Sequence, residues 1–167
     1  RYLLAADIDG TLLGEDRVAR SFHDFYRRYR EEFFIAYISG RSIMSVQGLL
    51  DENILPEPDL VCGHVGTEMY TWDTDYEAFP QDYHALVKSK WDLEDIYSKG
   101  IGRGVSRQEF STGQPPYHAG FYWDADPSTL EEFRERLNEY KDILVIESHG
   151  EFIDVIPRAL GKGNAVR

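Results

Sequence analysis

A single cysteine in 167 residues leaves no partner for a disulfide within the chain. Cys62 sits in the apolar stretch Asp59-Leu-Val-Cys62, a setting that reads as a small buried hydrophobe more than as a catalytic thiol. No apolar run approaches the roughly 18 residues that a membrane span needs, and no basic-then-apolar-then-small pattern of a signal peptide stands at the amino end. These absences give the expectation of a cytoplasmic protein with no membrane partner. Basic residues are scarce as well. Eighteen Lys and Arg against 30 Asp and Glu give a net charge of -12, which argues against a broad, sequence-independent attraction to nucleic acid. A small anion remains an acceptable ligand only where a few positive groups and a metal are focused at one point.

What is present is a globular composition, 42% hydrophobic and 29% charged. Tyr2-Leu-Leu-Ala-Ala-Asp-Ile is a continuous apolar run ending at Asp9-Gly10, as expected of a strand buried on both faces of a parallel sheet. Val18, Phe22, Phe25, Tyr26 and Tyr29 then form the apolar stripe of a helix. Phe33 to Ile38 predicts a second strand, Ile43, Val46 and Leu50 a second helix, and Leu60 to Cys62 a third strand after the breakers Pro56 and Pro58. This alternation predicts an α/β doubly wound, Rossmann-like parallel sheet, with chemistry at the carboxyl ends of its strands.

From about residue 77 the pattern changes. Tyr83 to Tyr97 reads as a helix, Tyr117 to Asp124 has the aromatic density of a strand, and Asp126-Pro127 caps a helix bearing Leu130, Phe133, Leu137 and Tyr140. Ile143 to Glu147 and Phe152 to Ile156 follow as strands joined through His149-Gly150 as a hairpin. The expected organisation is therefore a core over residues 1–76, an inserted α+β module over 77–157 with helix-strand-strand order occurring twice, and a return to the core over 158–167. The chain begins at Arg1 and closes as a helix is starting, so both ends read as cut and the core as truncated at its carboxyl end.

Asp7-Ile-Asp-Gly-Thr-Leu places two carboxylates at alternate positions where an apolar strand stops. Carboxylates are costly to bury unless something uses them, and an EF-hand calcium loop would need its glycine several residues later. Ile38-Ser39-Gly40-Arg41-Ser42 ends the second strand with a hydroxyl, a free amide and a helix start, all suited to an anion. Leu160-Gly-Lys-Gly-Asn-Ala offers Lys162 as a compact positive charge; the glycine upstream and the Ser or Thr downstream that a nucleotide P-loop requires are missing.

In this order, the segments 7–12, 38–42 and 160–164 resemble the first three motifs of the haloacid dehalogenase superfamily, with the inserted module in the place of a type-two cap. Gly40-Arg-Ser, Val65-Gly-Thr-Glu-Met-Tyr and Asp154-Val-Ile-Pro further resemble the sucrose-phosphate phosphatases and their relatives. The resemblance implies a Mg2+-dependent phosphatase acting on a small phosphorylated sugar through an aspartyl-phosphate. Asp7 would be the nucleophile and Asp9 the general acid and base. Thr11, Ser39, Gly40 and Lys162 would hold the phosphoryl group, while the Asp7 side chain and the Asp9 carbonyl would ligate the metal. Further acidic ligands are expected from a Gly-Asp-x-x-x-Asp segment beyond Arg167.

The resemblance also implies a site at the cleft between core and cap, with Arg41, Thr67, Glu68, Tyr117, His118 and Tyr122 as candidate substrate contacts. Where relatives often carry a lysine before the aromatic pair of the cap strand, this chain reads Tyr117-His118-Ala119-Gly120-Phe121-Tyr122, so sucrose phosphate is one candidate among mannosyl-, glucosylglycerol- and trehalose-type phosphosugars. The alternatives are a non-catalytic sugar-phosphate sensor, against which the intact Asp7 and Asp9 argue, and a phosphosugar mutase. Association with a sugar-phosphate synthase is left open.

Overall fold

The computed structural model describes residues 1–71, 83–87, 90–148 and 150–165. The chain divides into two compact units, Arg1–Tyr83 with Lys162–Arg167, and His84–Gly161. The expected boundary near residue 77 lies outside the described residues. Among those described, no helix is long and apolar enough to cross a membrane.

The first unit is a four-stranded sheet in the order β1-β2-β3-β4, where β1 is Tyr2–Ala6, β2 Phe33–Ile38, β3 Leu60–Gly63 and β4 Glu68–Thr71. The first three strands are parallel, in register from Tyr2 opposite Phe33 to Ala6 opposite Tyr37, and from Ala36 opposite Leu60 to Ile38 opposite Cys62. β4 folds back antiparallel on β3. Parallel neighbours need crossover helices, and α1 (Asp16–Tyr29) and α2 (Ile43–Asp51) supply them. Phe22 and Val46 from these helices join Ile8, Leu12, Ile35, Tyr37, Leu55 and Val61 in one apolar core. The β2 run Ile35 to Ile38 is fully buried, as a central parallel strand requires. β1 departs from the expectation of burial on both faces: Tyr2 is 72% and Leu3 53% exposed, because β1 pairs only with β2 and stands at the edge of this sheet among the described residues.

The second unit orders its strands β5-β6-β8-β7: β5 Val105–Arg107, β6 Ala119–Trp123, β7 Ile143–Ser148 and β8 Phe152–Pro157, all antiparallel. With α3 (Leu93–Gly100) and α4 (Pro127–Arg136) it realises helix-strand-strand twice. Phe121, Phe133, Ile96, Tyr97 and Ile153 fill the core between helices and sheet. Asp126 caps α4 by accepting from the Ser128 amide at 2.9 Å, with Pro127 in the first turn. Two details differ from the sequence reading. The helix expected over 83–97 is a 3-10 turn at His84–Leu86 and then α3, which starts only where Asp92 accepts from the Asp95 amide and runs on to Gly100. The strand expected from Tyr117 begins at Ala119, leaving Tyr117 and His118 on the approach to β6. Of the expected hairpin turn, His149 lies outside the described residues; Ser148 pairs with Phe152 across it and Gly150 adopts φ 69°.

Candidate active site

The carboxyl ends of β1, β2 and β3 lie side by side, which is what parallel pairing in register demands. Beyond β1 the side chain of Ile8 is fully buried, while Asp7 and Asp9 on either side remain half-buried. Burying that side chain is worth about 2–3 kcal/mol, and it anchors the turn: the Ile8 carbonyl accepts from the amides of Thr11, Leu12 and Leu13 at 3.3, 2.9 and 2.8 Å. Gly10 takes φ 70°, a left-handed conformation that glycine adopts without steric cost. Thr11 is exposed in the same turn.

Asp7 is held at both oxygens. Oδ1 accepts from the Ile8 amide at 2.8 Å and Oδ2 from Lys162 Nζ at 2.8 Å, a contact between residues 155 apart in sequence. Lys162 opens the short helix α5 (Lys162–Ala165), which packs beside the 3-10 turn His64–Gly66 after β3. Asp9 meets Arg41. The guanidinium Nε lies 2.9 Å from Oδ2 and Nη2 2.8 Å from Oδ1, while Nη1 donates to Ser45 Oγ at 3.1 Å. The hydrogen bond to Asp9 raises the Arg41 pKa against the opposing effect of burial, so the guanidinium is charged at every working pH.

Ser39 is fully buried at the end of β2. Its amide donates to the Cys62 carbonyl at 2.9 Å, and its Oγ accepts from the Arg41 amide at 3.1 Å, leaving the hydroxyl proton to be donated elsewhere. Gly40 is exposed. Ser42 caps α2 by accepting from the Ser45 amide at 3.2 Å. The turn after β3 continues the ladder onto this segment: the Val65 amide donates to the Ser39 carbonyl at 3.0 Å and the His64 amide to the Arg41 carbonyl at 2.9 Å. To do so it takes three consecutive positive φ values, 47° at His64, 62° at Val65 and 86° at Gly66. A β-branched residue in that region is strained. Nothing in the sequence of Val65 signals this.

The remaining predicted contacts separate into two groups. Thr67 is fully buried and its hydroxyl donates to the His64 carbonyl at 2.9 Å, so it staples the strained turn; Glu68 lies 3.9 Å from His64 Nε2. Tyr117, His118 and Tyr122 belong to the second unit. Tyr117 packs on His84 with ring centroids 4.4 Å apart, and Tyr122 is 43% exposed beside Phe152. His118 is only 2% exposed and pairs with Asp154 Oδ1 at 2.7 Å, whose other oxygen accepts from Ser148 Oγ at 3.1 Å. Sequence reasoning took Asp154 only as part of a resemblance and missed this buried network, whose members are far apart in the chain.

Among the described residues no group of three or more His, Cys, Asp or Glu side chains converges as a metal cage. The half-buried Asp7 carboxylate and the Asp9 main-chain carbonyl are hard oxygen donors at one strand end. They suit magnesium, which takes one or two carboxylates and keeps several waters, as part of its shell.

A parallel core that brings a lysine back to an aspartate at the end of its first strand, after an inserted α+β unit, defines the chain as a phosphatase-type member of the haloacid dehalogenase superfamily. The sequence model of the sucrose-6F-phosphate phosphohydrolase family matches residues 1–167, and the chain belongs to that family. It is 28% identical to the mannosylfructose-phosphate phosphatase of Agrobacterium fabrum over 98% of this chain and 67% of that protein. It is 27% identical to sucrose-phosphatase 1 of Nicotiana tabacum over 99% of this chain and 40% of that one. The solved sucrose-phosphatase of Synechocystis, in complex with sucrose and phosphate, superposes with a TM-score of 0.85 at 26% identity, covering 99% of this chain and 67% of that chain. The present chain thus spans about two thirds of the bacterial proteins and 40% of the tobacco protein.

Proposed function

We propose that the protein is a phosphatase that hydrolyses a soluble sugar-phosphate monoester in the cytoplasm through an aspartyl-phosphate on Asp7. The observation that carries this reading is the contact between Lys162 Nζ and Asp7 Oδ2 at 2.8 Å. A carboxylate attacks phosphorus poorly because both are negatively charged, and a lysine on the nucleophile's own oxygen offsets that repulsion. An oxygen of Asp7 bonds to phosphorus as the bond to the sugar oxygen breaks; the departing oxygen keeps the electron pair and takes a proton from Asp9. Asp9, now a carboxylate, takes a proton from water as the water oxygen bonds to phosphorus, and the bond to Asp7 breaks to release inorganic phosphate. Ser39, the Gly40 amide and Thr11 stand at the same strand ends as donors for the phosphoryl oxygens. Asp7 and the Asp9 carbonyl would hold magnesium, which when bound draws charge from the phosphoryl group.

We assign the choice of sugar to residues 77–157. Tyr122 and Tyr117 present accessible aromatic surface suited to a sugar face, whereas the His118 ring shapes the β6 approach from within. The test is phosphate release by the full-length protein from sucrose phosphate, mannosylfructose phosphate and glucosylglycerol phosphate, with and without magnesium. Asp7→Asn is expected to lower turnover by about 10⁴ or more, as for loss of the nucleophile in other covalent enzymes. A variant that keeps most of its activity overturns the covalent reading, and binding of a phosphosugar without turnover by the unsubstituted protein favours a sensor.

A further inference from the structure

Lys162 has little local structure to hold it. It opens a helix of four residues, far shorter than one that is stable by itself. On either side stand Gly161, at φ 103°, and Gly163, residues whose backbone ranges widely unless packing confines it. The lysine is fixed from outside, by the burial of Leu160 and Ala165 and by the packing of α5 beside the His64–Gly66 turn. That turn is itself tied down. Its His64 and Val65 amides donate to the carbonyls of Arg41 and Ser39, at 2.9 and 3.0 Å, and the Gly66 carbonyl accepts from the Tyr83 hydroxyl at 2.7 Å. Gly63 permits the close approach, because a Cβ there would stand 3.0 Å from the Arg41 carbonyl oxygen.

Val65 is the unusual member of the turn, a buried β-branched residue at φ 62°, ψ 22°, where glycine would fit without steric cost. The left-handed well open to such a residue is narrow and its χ1 is restricted, so the turn built on valine has fewer conformations than one built on glycine. Strain of this kind persists where the surroundings over-determine it, and it clusters at functional sites. We propose that Val65 is a positioning residue for Lys162: by stiffening the turn beside which α5 packs, it transmits the placement of the β2 end to the ammonium that meets Asp7 at 2.8 Å. This inference rests on the reading of Lys162 as the charge that offsets repulsion at the nucleophile. The Val65 side chain has no polar atom and its amide is committed to Ser39, so its influence on rate runs through the lysine.

A double-mutant cycle on the full-length protein tests this, with turnover of 4-nitrophenyl phosphate in the presence of magnesium and thermal denaturation measured on each variant. Val65→Gly is expected to lower kcat by about tenfold, within the loss that a misplacement of about 1 Å can cause, with KM changed by less than about twofold. In the Lys162→Met background the same substitution should change kcat by less than about twofold, because no ammonium is left to misplace. Val65→Ala keeps a side chain in the left-handed region and should retain more turnover than Val65→Gly although it melts lower. Activity and stability then rank in opposite orders, which loss of fold alone does not produce.

Val65→Gly with kcat within about twofold of the parent overturns the proposal. So does an equal fall in kcat in both backgrounds, which makes the residue structural, and so does a raised KM at unchanged kcat, which makes the turn a substrate contact. If neither Val65 variant folds, the turn serves the fold and the positioning role is lost. If Lys162→Met itself keeps its activity, the underlying reading of the lysine fails; if Lys162→Met loses activity and the Val65 effects are additive with it, only the positioning role fails.

Discussion

Replacing Lys162 by Met separates what the lysine does for stability from what it does for rate. At 2.8 Å two unit charges attract by about 1.5 kcal/mol in bulk water and about 6 kcal/mol at an effective dielectric of 20. The side chains of Lys162 and Asp7 are 38% and 42% exposed, so screening and desolvation reduce the net stabilisation to about 0–1 kcal/mol. For a chain of this size that is a fall in Tm of no more than about 4 °C. The same ammonium facing the charge of a transferring phosphoryl group is worth far more, and its removal should lower kcat/KM by about 10²–10³. Thermal denaturation followed by circular dichroism and phosphate release on full-length protein give both numbers. A melting point lowered by more than about 10 °C would make the lysine a structural residue. Activity within about fivefold of the parent would remove it from the chemistry.

Two further outcomes follow from features away from the reacting groups. Val65→Gly relieves a strained φ of 62° at the loss of a buried side chain, while Val65→Ala loses most of that burial and keeps the strain; the glycine variant should be the more stable by about 1 kcal/mol in urea denaturation, and the reverse order would show that the turn stores no strain. Burial tends to raise the Asp59 carboxyl, but the Arg30 guanidinium and the Ile35 amide outweigh it and hold the group below its ordinary 3.8. A depressed value means stabilisation that is present above 3.8 and lost as pH falls through the folded-state value, so the stability gap between the parent and Asp59→Asn should shrink on acidification below about pH 4, and a gap that widens there would refute the assignment.

How far the sequence reached can be judged residue by residue. The position of Asp7 and Asp9 at the end of β1 was legible because the apolar run stops at two carboxylates, and the meeting of Lys162 with Asp7 was suggested by order along the chain, not by local pattern. The second unit's order was legible from helix stripes and the Asp126-Pro127 cap. Tyr83 to Tyr97 misled because aromatic spacing can imitate a helical stripe, whereas the start of α3 is decided by the side chain of Asp92. The Arg41 fork on Asp9 was not legible, since a bidentate contact depends on β1 and β2 being adjacent and in register. Nor was the fate of Thr67, whose hydroxyl donates to the His64 carbonyl, or of His118, whose Nε2 pairs with Asp154: burial of a polar group is a property of the assembled chain, and its residue type looks the same in a cleft as in a core.

The contact between Asp7 and Lys162 is also the closing of a loop. Its two ends are 155 residues apart, and an unstructured segment of that length would resist closure, each doubling of length costing about 0.6 kcal/mol. The inserted unit shortens the problem by folding upon itself. Among the described residues its strands β5 to β8 pair only with one another, so it can condense from comparatively near contacts and hand its carboxyl end to the core already tethered. A substitution deep in that unit, at Phe121 or Phe133, would then delay the arrival of Lys162 beside Asp7 without touching either residue, and would be felt first as slow recovery of activity during refolding.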